Sequence, residues 1–446
     1  MKINGQRLLS DLKNLREITA TPGQGVTRFS YSDEDRRARE YLARIAHEYG
    51  FTMETDPVGN ITICPPGSSC CTTSRSSQGN TSGTGCTTNR SSQGSTSGTG
   101  CTTNSSCQGR TIIGSHIDTV KSGGWLDGIY GVMSGMEVLR TLAENNAKSN
   151  VALMIYAEEE GSGFGSTMTG SKFLTGKYKE SDLTKLVDDE RRTLKDHLEE
   201  CGYWDAEAFA KALPMSFDGI DQALELHIEQ GPVMEREGLQ IGIVDTVFGM
   251  HVLEIEYAGL GNHAGASPMI GRRDAMSAFG ETAVAIERAI LELGQGAVAT
   301  IGKVSVSPGG SNVIPDSVRF TVDIRSNKNE LTDEAVGIIR QLATEIAAKR
   351  SVKCEIRDIA DSAAIPFSRD VIEEMVTLAE EQGLVYKVMD SGAVHDTAML
   401  APYTRAGMIF VPSINGRSHV PEENTDEEDL VRGTQFLMDY IERSTC

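Results

Sequence analysis

The stretch TIIGSHIDTVKSGGWLDGIYGVMSGMEVLRTLAENNAKSNVALMIYAEEEG, residues 111–161, decides the fold class. Thr111–Asp118 and Val151–Ala157 are short apolar runs of the kind that form buried strands, and the residues around Val132–Leu142 read as a helix between them. Strand, helix and strand in that order form a βαβ unit, which implies a parallel sheet with helices on its faces. In such sheets, binding sites form beyond the carboxyl ends of the strands. Polar residues gather there in this stretch. The first strand ends in Gly-Ser-His116-Ile-Asp118 and the second runs into Glu158-Glu159-Glu160-Gly. Between them a glycine-rich loop, Gly123-Gly124-Trp-Leu-Asp127-Gly128, carries one acid.

Two later strings repeat the pattern: Leu224-Glu-Leu-His227-Ile-Glu229-Gln230-Gly-Pro, and Asn415-Gly416-Arg417-Ser418-His419-Val-Pro-Glu after the strand-like run Met408–Val411. Three histidines and several carboxylates thus stand at strand ends or in glycine-containing loops. Nitrogen and oxygen donors without thiolates favour Zn, Mn, Co or Ni over Cu(I) or iron–sulfur clusters. Five such donors are too many for one tetrahedral zinc with an open position. They suit two metals that share a bridging carboxylate and activate a water between them.

A second region has different periodicity. His251–Tyr257 and Val318–Ile324 alternate as half-exposed strands. Ala275, Ala278, Phe279, Thr282, Ile286 and Ala289 recur at helical spacing, as do Ala335, Ile338, Ile339, Leu342 and Ile346, and a further strand is expected near Lys353–Ile359. The expected architecture is α/β: a mostly parallel-sheet domain of residues 1–246 and 362–446, with a smaller α+β domain of four strands and two helices inserted at 247–361.

The 446 residues carry 42 Lys+Arg against 63 Asp+Glu, a formal charge of −21. That balance argues against partners such as nucleic acid or an anionic membrane surface. No apolar run approaches the roughly 18 residues of a spanning helix, and the N-terminal segment lacks a signal-peptide core. The cytoplasm is the expected compartment. Six of the nine cysteines crowd between Cys64 and Cys107, and no CxxC pair occurs. That crowding belongs to a tandem repeat of period 15: CTTSRSSQGNTSGTG from Cys71, CTTNRSSQGSTSGTG from Cys86, and CTTNSSCQGR from Cys101. Residues 67–109 hold no aliphatic or aromatic residue. Such a segment cannot bury enough apolar surface to offset its ordering entropy, so a disordered surface insert is expected. Deleting Gly67–Gly109 with a short joining turn is expected to leave activity and thermal midpoint nearly unchanged. Loss of soluble protein on deletion would show a structural role.

Taken in order, the strings resemble the peptidase-like metallo-amidohydrolases, in the hydantoinase/carbamoylase branch that includes N-carbamoyl-L-amino-acid hydrolases, ureidopropionases and allantoate amidohydrolases. The resemblance runs from Pro22-Gly-Gln-Gly-Val-Thr-Arg28 to His419-Val-Pro-Glu and skips only the repeat. GSHIDTV, LDG, EEEGS, ELHIEQGP, NHAGASPM with RRDA, and PSINGRSH carry it; HIEQGP and the NHAG–RRDA pair place the branch. The resemblance implies two divalent ions per subunit, with His116 and His227 on one, Glu160 and His419 on the other, and Asp127 bridging. It further implies Asp118 as the residue that orients His116, and Glu159 as general base. Gln230, His263, Asn312 and Arg325 match substrate-binding positions; from residue chemistry alone, Asn312 also fits a turn cap and Arg325 a sheet-surface ion pair. His395 is expected to bind no metal, and His47, His197 and His251 to be ordinary histidines.

The implied reaction is hydrolysis of a ureido or carbamoyl C–N bond of a small anionic substrate with release of ammonia. Allantoate comes first, because Glu158 looks closer to allantoate amidohydrolases; an N-carbamoyl-L-amino-acid hydrolase or ureidopropionase is the alternative. Gly163, where the branch commonly has Arg, and Val394, where it usually has Gly, are departures in the bordering loops. A homodimer is implied, because in relatives the smaller domain forms the dimer interface and offers its NHAG histidine to the neighbouring subunit. A catalytically silent metal- or ligand-binding relative is the remote alternative.

Overall fold

The computed structural model describes residues 1–66, 109–147, 149–294 and 296–445; the repeat insert, all but Gly109, lies outside the described residues. The chain forms two compact units. One holds Met1–Ile228, Tyr403–Arg405 and the segment from Ser413 onward; the other holds Glu229–Pro402 and Ala406–Pro412.

In the first unit, strands β1 (Thr52–Thr55), β2 (Ile61–Cys64), β3 (Arg110–His116), β4 (Val151–Tyr156) and β5 (Ile220–Ile228) lie in the order β1-β2-β4-β3-β5. Strand β3 runs parallel to both β4 and β5, with Thr111 opposite Val151 and His116 opposite Tyr156. The β1–β2 pair is an antiparallel hairpin, and β2 meets β4 antiparallel, so the sheet is mixed around a parallel centre. A five-residue connection between β1 and β2 allows only antiparallel pairing, which the apolar pattern of the βαβ stretch did not convey. Every residue of β3 and β4 is buried, which is why they read as continuous apolar runs.

Helices α1 (Gly5–Arg16), α2 (Asp33–Glu48) and α3 (Ile129–Glu144) belong to this unit. Helix α3 is buried on nearly every side, because α1 and the C-terminal helix Glu427–Thr445 pack against it. Its buried Glu137 is neutralised by Arg7 at 2.8 Å and Arg140 at 3.2 Å, the arrangement a charge needs in a dry interior. A Cβ at Gly131 would sit 2.4 Å from the carbonyl oxygen of Leu226, so glycine lets the helix approach β5 closely. The chain that enters α3 is thereby held across the ends of β3 and β5.

In the second unit, β6 (Ile241–Val247) pairs parallel with β14 (Tyr386–Ser391) and antiparallel with β13 (Ile365–Pro366) and β15 (Arg405–Val411). A separate antiparallel sheet has the order β12 (Lys353–Ser362), β7 (Gly249–Ala258), β11 (Ser317–Ser326), β9 (Ala297–Ser307). One face of it packs on helices Ala275–Leu293 and Asn329–Arg350, with Leu253, Ile255, Tyr257, Phe320 and Ile324 meeting Ala278, Ile286, Ile339 and Ala343. A single covered face explains the alternating pattern of β7 and β11. Two-residue strands β8 (Asn262–His263) and β10 (Val313–Ile314) pair separately. Among the described residues, no helix is long and apolar enough to cross a membrane.

Candidate metal centre

In the first unit, His116 closes β3 and His227 lies near the end of its parallel neighbour β5. The Nδ1 of His116 is 3.0 Å from the carbonyl of Asp118, and that of His227 is 2.9 Å from the carbonyl of Ile228. A carbonyl only accepts, so each Nδ1 carries the proton and each Nε2 is the acceptor nitrogen; that of His227 accepts the Gly128 N–H at 3.0 Å. Both Nε2 atoms face Oδ1 of Asp127, at 3.6 Å and 3.1 Å. The other oxygen of Asp127, Oδ2, faces Nε2 of His419 at 3.1 Å, and Glu160 Oε2 is 3.5 Å from that same nitrogen. Two donor sets result, His116–Asp127–His227 and Asp127–Glu160–His419, each with its atoms within 4.8 Å of one another. Asp127 precedes Gly128, where α3 begins with φ of 68°. A Cβ on Gly128 would stand 2.4 Å from the His116 ring, so the loop can come this close only with glycine there.

Around these donors Asp118, Asp127, Glu158, Glu159 and Glu423 are all buried. Burial opposes the charge of Asp127, yet the three histidines facing it, His116, His227 and His419, hold its carboxyl well below the usual range. Burial, followed by the charge of Asp127, pushes Glu160 up to about 8. Burial and Asp118 do the same to Glu158, also to about 8. The hydrogen bond to Asp127 raises His419 to about 9. The cluster therefore holds more negative charge than its own surroundings offset, and protons stand where cations would. Glu160 Oε1 is buried without a hydrogen-bond partner. Donor chemistry, tautomers and this orphaned oxygen all fit divalent cations.

Asp118 bears on this set through both its backbone and its side chain. Its backbone carbonyl orients the His116 ring, whereas its carboxylate accepts the backbone N–H groups of Glu159 (3.3 Å) and Glu160 (3.1 Å). It positions the glutamate loop, because those two N–H groups lie closer to it than the 3.8 Å that separates it from His116 Nδ1. The Glu159 carboxylate lies 3.7 Å from His116 Nε2.

Two residues in this neighbourhood escaped the sequence reading. Arg28, fully buried, donates to the carbonyls of Ile117 (2.7 Å), Leu15 (2.9 Å) and Ile18 (3.0 Å), and so ties α1 to the turn between His116 and Asp118. Glu423 accepts the N–H groups of Leu126 and Asp127 and reaches the His419 loop through Ser418. A signal for Arg28 stood in the Pro22–Arg28 string, but Glu423 is one of two adjacent glutamates with nothing local to separate them.

The four substrate-site candidates lie in the second unit. Gln230 has left-handed backbone, φ 57°. The β8–β10 pair brings His263 and Asn312 together, with the Asn312 carbonyl accepting from Ala264 N at 2.9 Å. His263 Nδ1 accepts from Gly265 N (3.1 Å) and Ala266 N (3.0 Å), so Nε2 carries the proton and is a donor on an exposed ring. Arg272 fastens this loop through the carbonyls of Ala264, Ser267 and Pro268. Arg325, on β11, is gripped by both oxygens of Asp323 at 2.9 and 3.2 Å and also donates to the Gly392 carbonyl. Its guanidinium is thus held by an ion pair within the sheet. His395 is buried and bonds Ser391 Oγ at 2.9 Å. Asp188 and Asp358 engage His197 and His251.

The model of peptidase family M20/M25/M40 matches residues 112–443. An N-carbamoyl-L-amino-acid amidohydrolase of Paenarthrobacter aurescens is 30% identical over 439 residues, covering 98% of this chain and 97% of that protein. The allantoate amidohydrolase of Escherichia coli is 32% identical over 441 residues, 97% of this chain and 96% of that one. The crystal structure of a hydantoinase/carbamoylase family amidase from Burkholderia ambifaria superposes with a TM-score of 0.81 at 31% identity, covering 100% of this chain and 98% of the other. The chain belongs to the M20/M25/M40 peptidase family, in its hydantoinase/carbamoylase branch of metal-dependent amidohydrolases.

Proposed function

We propose that this chain hydrolyses a ureido or carbamoyl C–N bond of a small carboxylate substrate with release of ammonia, with allantoate the first candidate and an N-carbamoyl-L-amino acid or ureidopropionate next. The observation that carries the reading is the division of Asp127, one oxygen toward His116 and His227, the other toward His419 and Glu160. Two divalent ions held by these sets, Zn, Mn, Co or Ni, would supply Lewis acidity to the scissile carbonyl and the attacking water. Glu159 takes a proton from that water and returns one to the departing nitrogen. Water adds to the carbonyl carbon and the C–NH2 bond breaks, giving ammonia and a carbamic acid, which loses carbon dioxide. His263, with Nε2–H outward, is suited to stabilise the oxyanion. Gln230 and Asn312 are amides able to bond the ureido group, and the Arg325 guanidinium would bind the substrate carboxylate, shared with Asp323.

Residues 247–361 form the dimerisation and lid domain in this reading. Helix Ala275–Leu293 exposes Val284 (69%) and Leu291 (74%), and β9, an edge strand, exposes Val298, Val304 and Val306. An unpaired strand edge beside an apolar helix face is the kind of surface that a two-fold copy covers.

The test is ammonia release from allantoate, N-carbamoyl-L-amino acids, ureidopropionate and dipeptides after loading the protein with each metal. Release from one ureido or carbamoyl substrate and none from dipeptides is expected. Silence across the panel in metal-replete protein would support the reading of a silent binding relative instead.

A further inference from the structure

We infer that Glu423 is a positioning residue that holds the bridging carboxylate and His419 in one geometry, an inference that rests on the two-metal reading above. Its carboxylate joins two loops nearly three hundred residues apart in sequence. Oε1 accepts the backbone N–H groups of Leu126 and Asp127, each at 3.0 Å. Oε2 accepts the Ser418 hydroxyl at 2.7 Å and the His419 N–H at 3.3 Å. Ser418 Oγ also lies 3.3 Å from Asp127 Oδ2. His419 has φ of 59°, a left-handed conformation that a non-glycine residue keeps only when its surroundings hold it there. Glu423 is buried and supplies part of that hold. The loop opposite is shaped around it: a Cβ on Gly124 would stand 2.0 to 2.3 Å from the Glu423 carboxylate atoms.

All four groups that address Glu423 are donors, so both of its oxygens must accept. Glutamine keeps the volume but replaces one acceptor by an NH2, which then faces a donor in one loop or the other. Aspartate keeps the charge but is one methylene too short to reach both loops. A residue acting only through charge would be rescued by Asp; one acting through reach would not. The donor set that depends on both loops is Asp127–Glu160–His419, whereas His116 and His227 stand on strands β3 and β5.

The experiment titrates the metal-free chain with Mn2+ by calorimetry, and with Co2+ by visible absorption, without reference to activity. Wild type is expected to bind two equivalents. Glu423→Gln and Glu423→Asp are expected to keep one equivalent at near wild-type affinity and to weaken the other by about 10–100-fold, the usual cost of losing a group that orients a ligand. Glu422→Gln, at the exposed neighbour that pairs with Arg417 at 3.1 Å, is expected to change neither. If Glu423 variants fail to fold, Gly124→Ala displaces the carboxylate sterically and is expected to give the same split. Two equivalents at wild-type affinity in the variants, full rescue by Asp, or equal weakening of both equivalents would overturn the inference. Fewer than two equivalents in wild type would instead overturn the two-metal reading, whatever Glu423 does.

Discussion

Glu159→Gln is expected to retain near wild-type metal content while turnover falls by about 10²–10⁴-fold, the range a positioned general base contributes. Glu159 is buried, and its Oε2 lies 3.7 Å from Nε2 of His116, beside the donors but outside both donor sets. An amide of the same shape keeps the packing but cannot accept the proton of the attacking water. Glu160→Gln should behave differently. Its carboxylate shares the Asp127–Glu160–His419 set, so neutralising it should weaken one metal, with activity following metal content. Metal analysis beside turnover for the two variants separates the roles. Parallel loss of metal and activity in both would show that the roles within the triple glutamate are assigned wrongly.

Mixing two inactive variants, Glu159→Ala and His263→Ala, under conditions that exchange subunits is expected to restore activity to about one quarter of wild type. The reasoning is symmetry. In a two-fold dimer whose sites each use His263 from the neighbour, a mixed dimer has one site with both defects and one intact site. Random exchange makes half the dimers mixed, and one site in two is intact in each. If His263 acts within its own subunit, every site keeps a defect and nothing is restored. The exposed ring of His263, fixed by Gly265 and Ala266 with Nε2–H outward, is what such a transfer needs. Heterodimers confirmed by mass but without activity would sink the shared-site model and leave the metal chemistry intact.

Much of the first unit and of its candidate donor residues was legible in the chain itself. Strands buried on both faces must be continuous apolar runs, so β3 and β4 announced themselves. The side chains just beyond their ends have no packing reason to be His, Asp or Glu, so His116, Asp127 and Glu160 stood out together. The same logic read the alternation of β7 and β11 and the helical spacing at 275–293 and 329–350, because a half-covered sheet imposes period two and an amphipathic helix imposes a period near 3.6. Residue type and period are local properties, and a sequence carries them directly.

What the tertiary structure alone decided concerns which atom faces which. Nothing local says that the two oxygens of Asp127 part company, or that the carboxylate of Asp118 accepts the Glu159 and Glu160 backbone N–H groups. Nor could it separate Glu423, bonded to Leu126 and Asp127, from the exposed Glu422 beside it. A hydrogen bond depends on distances of a few tenths of an ångström between groups that the chain brings together from far apart. Side-chain identity sets only which bonds are chemically possible, and packing selects among them.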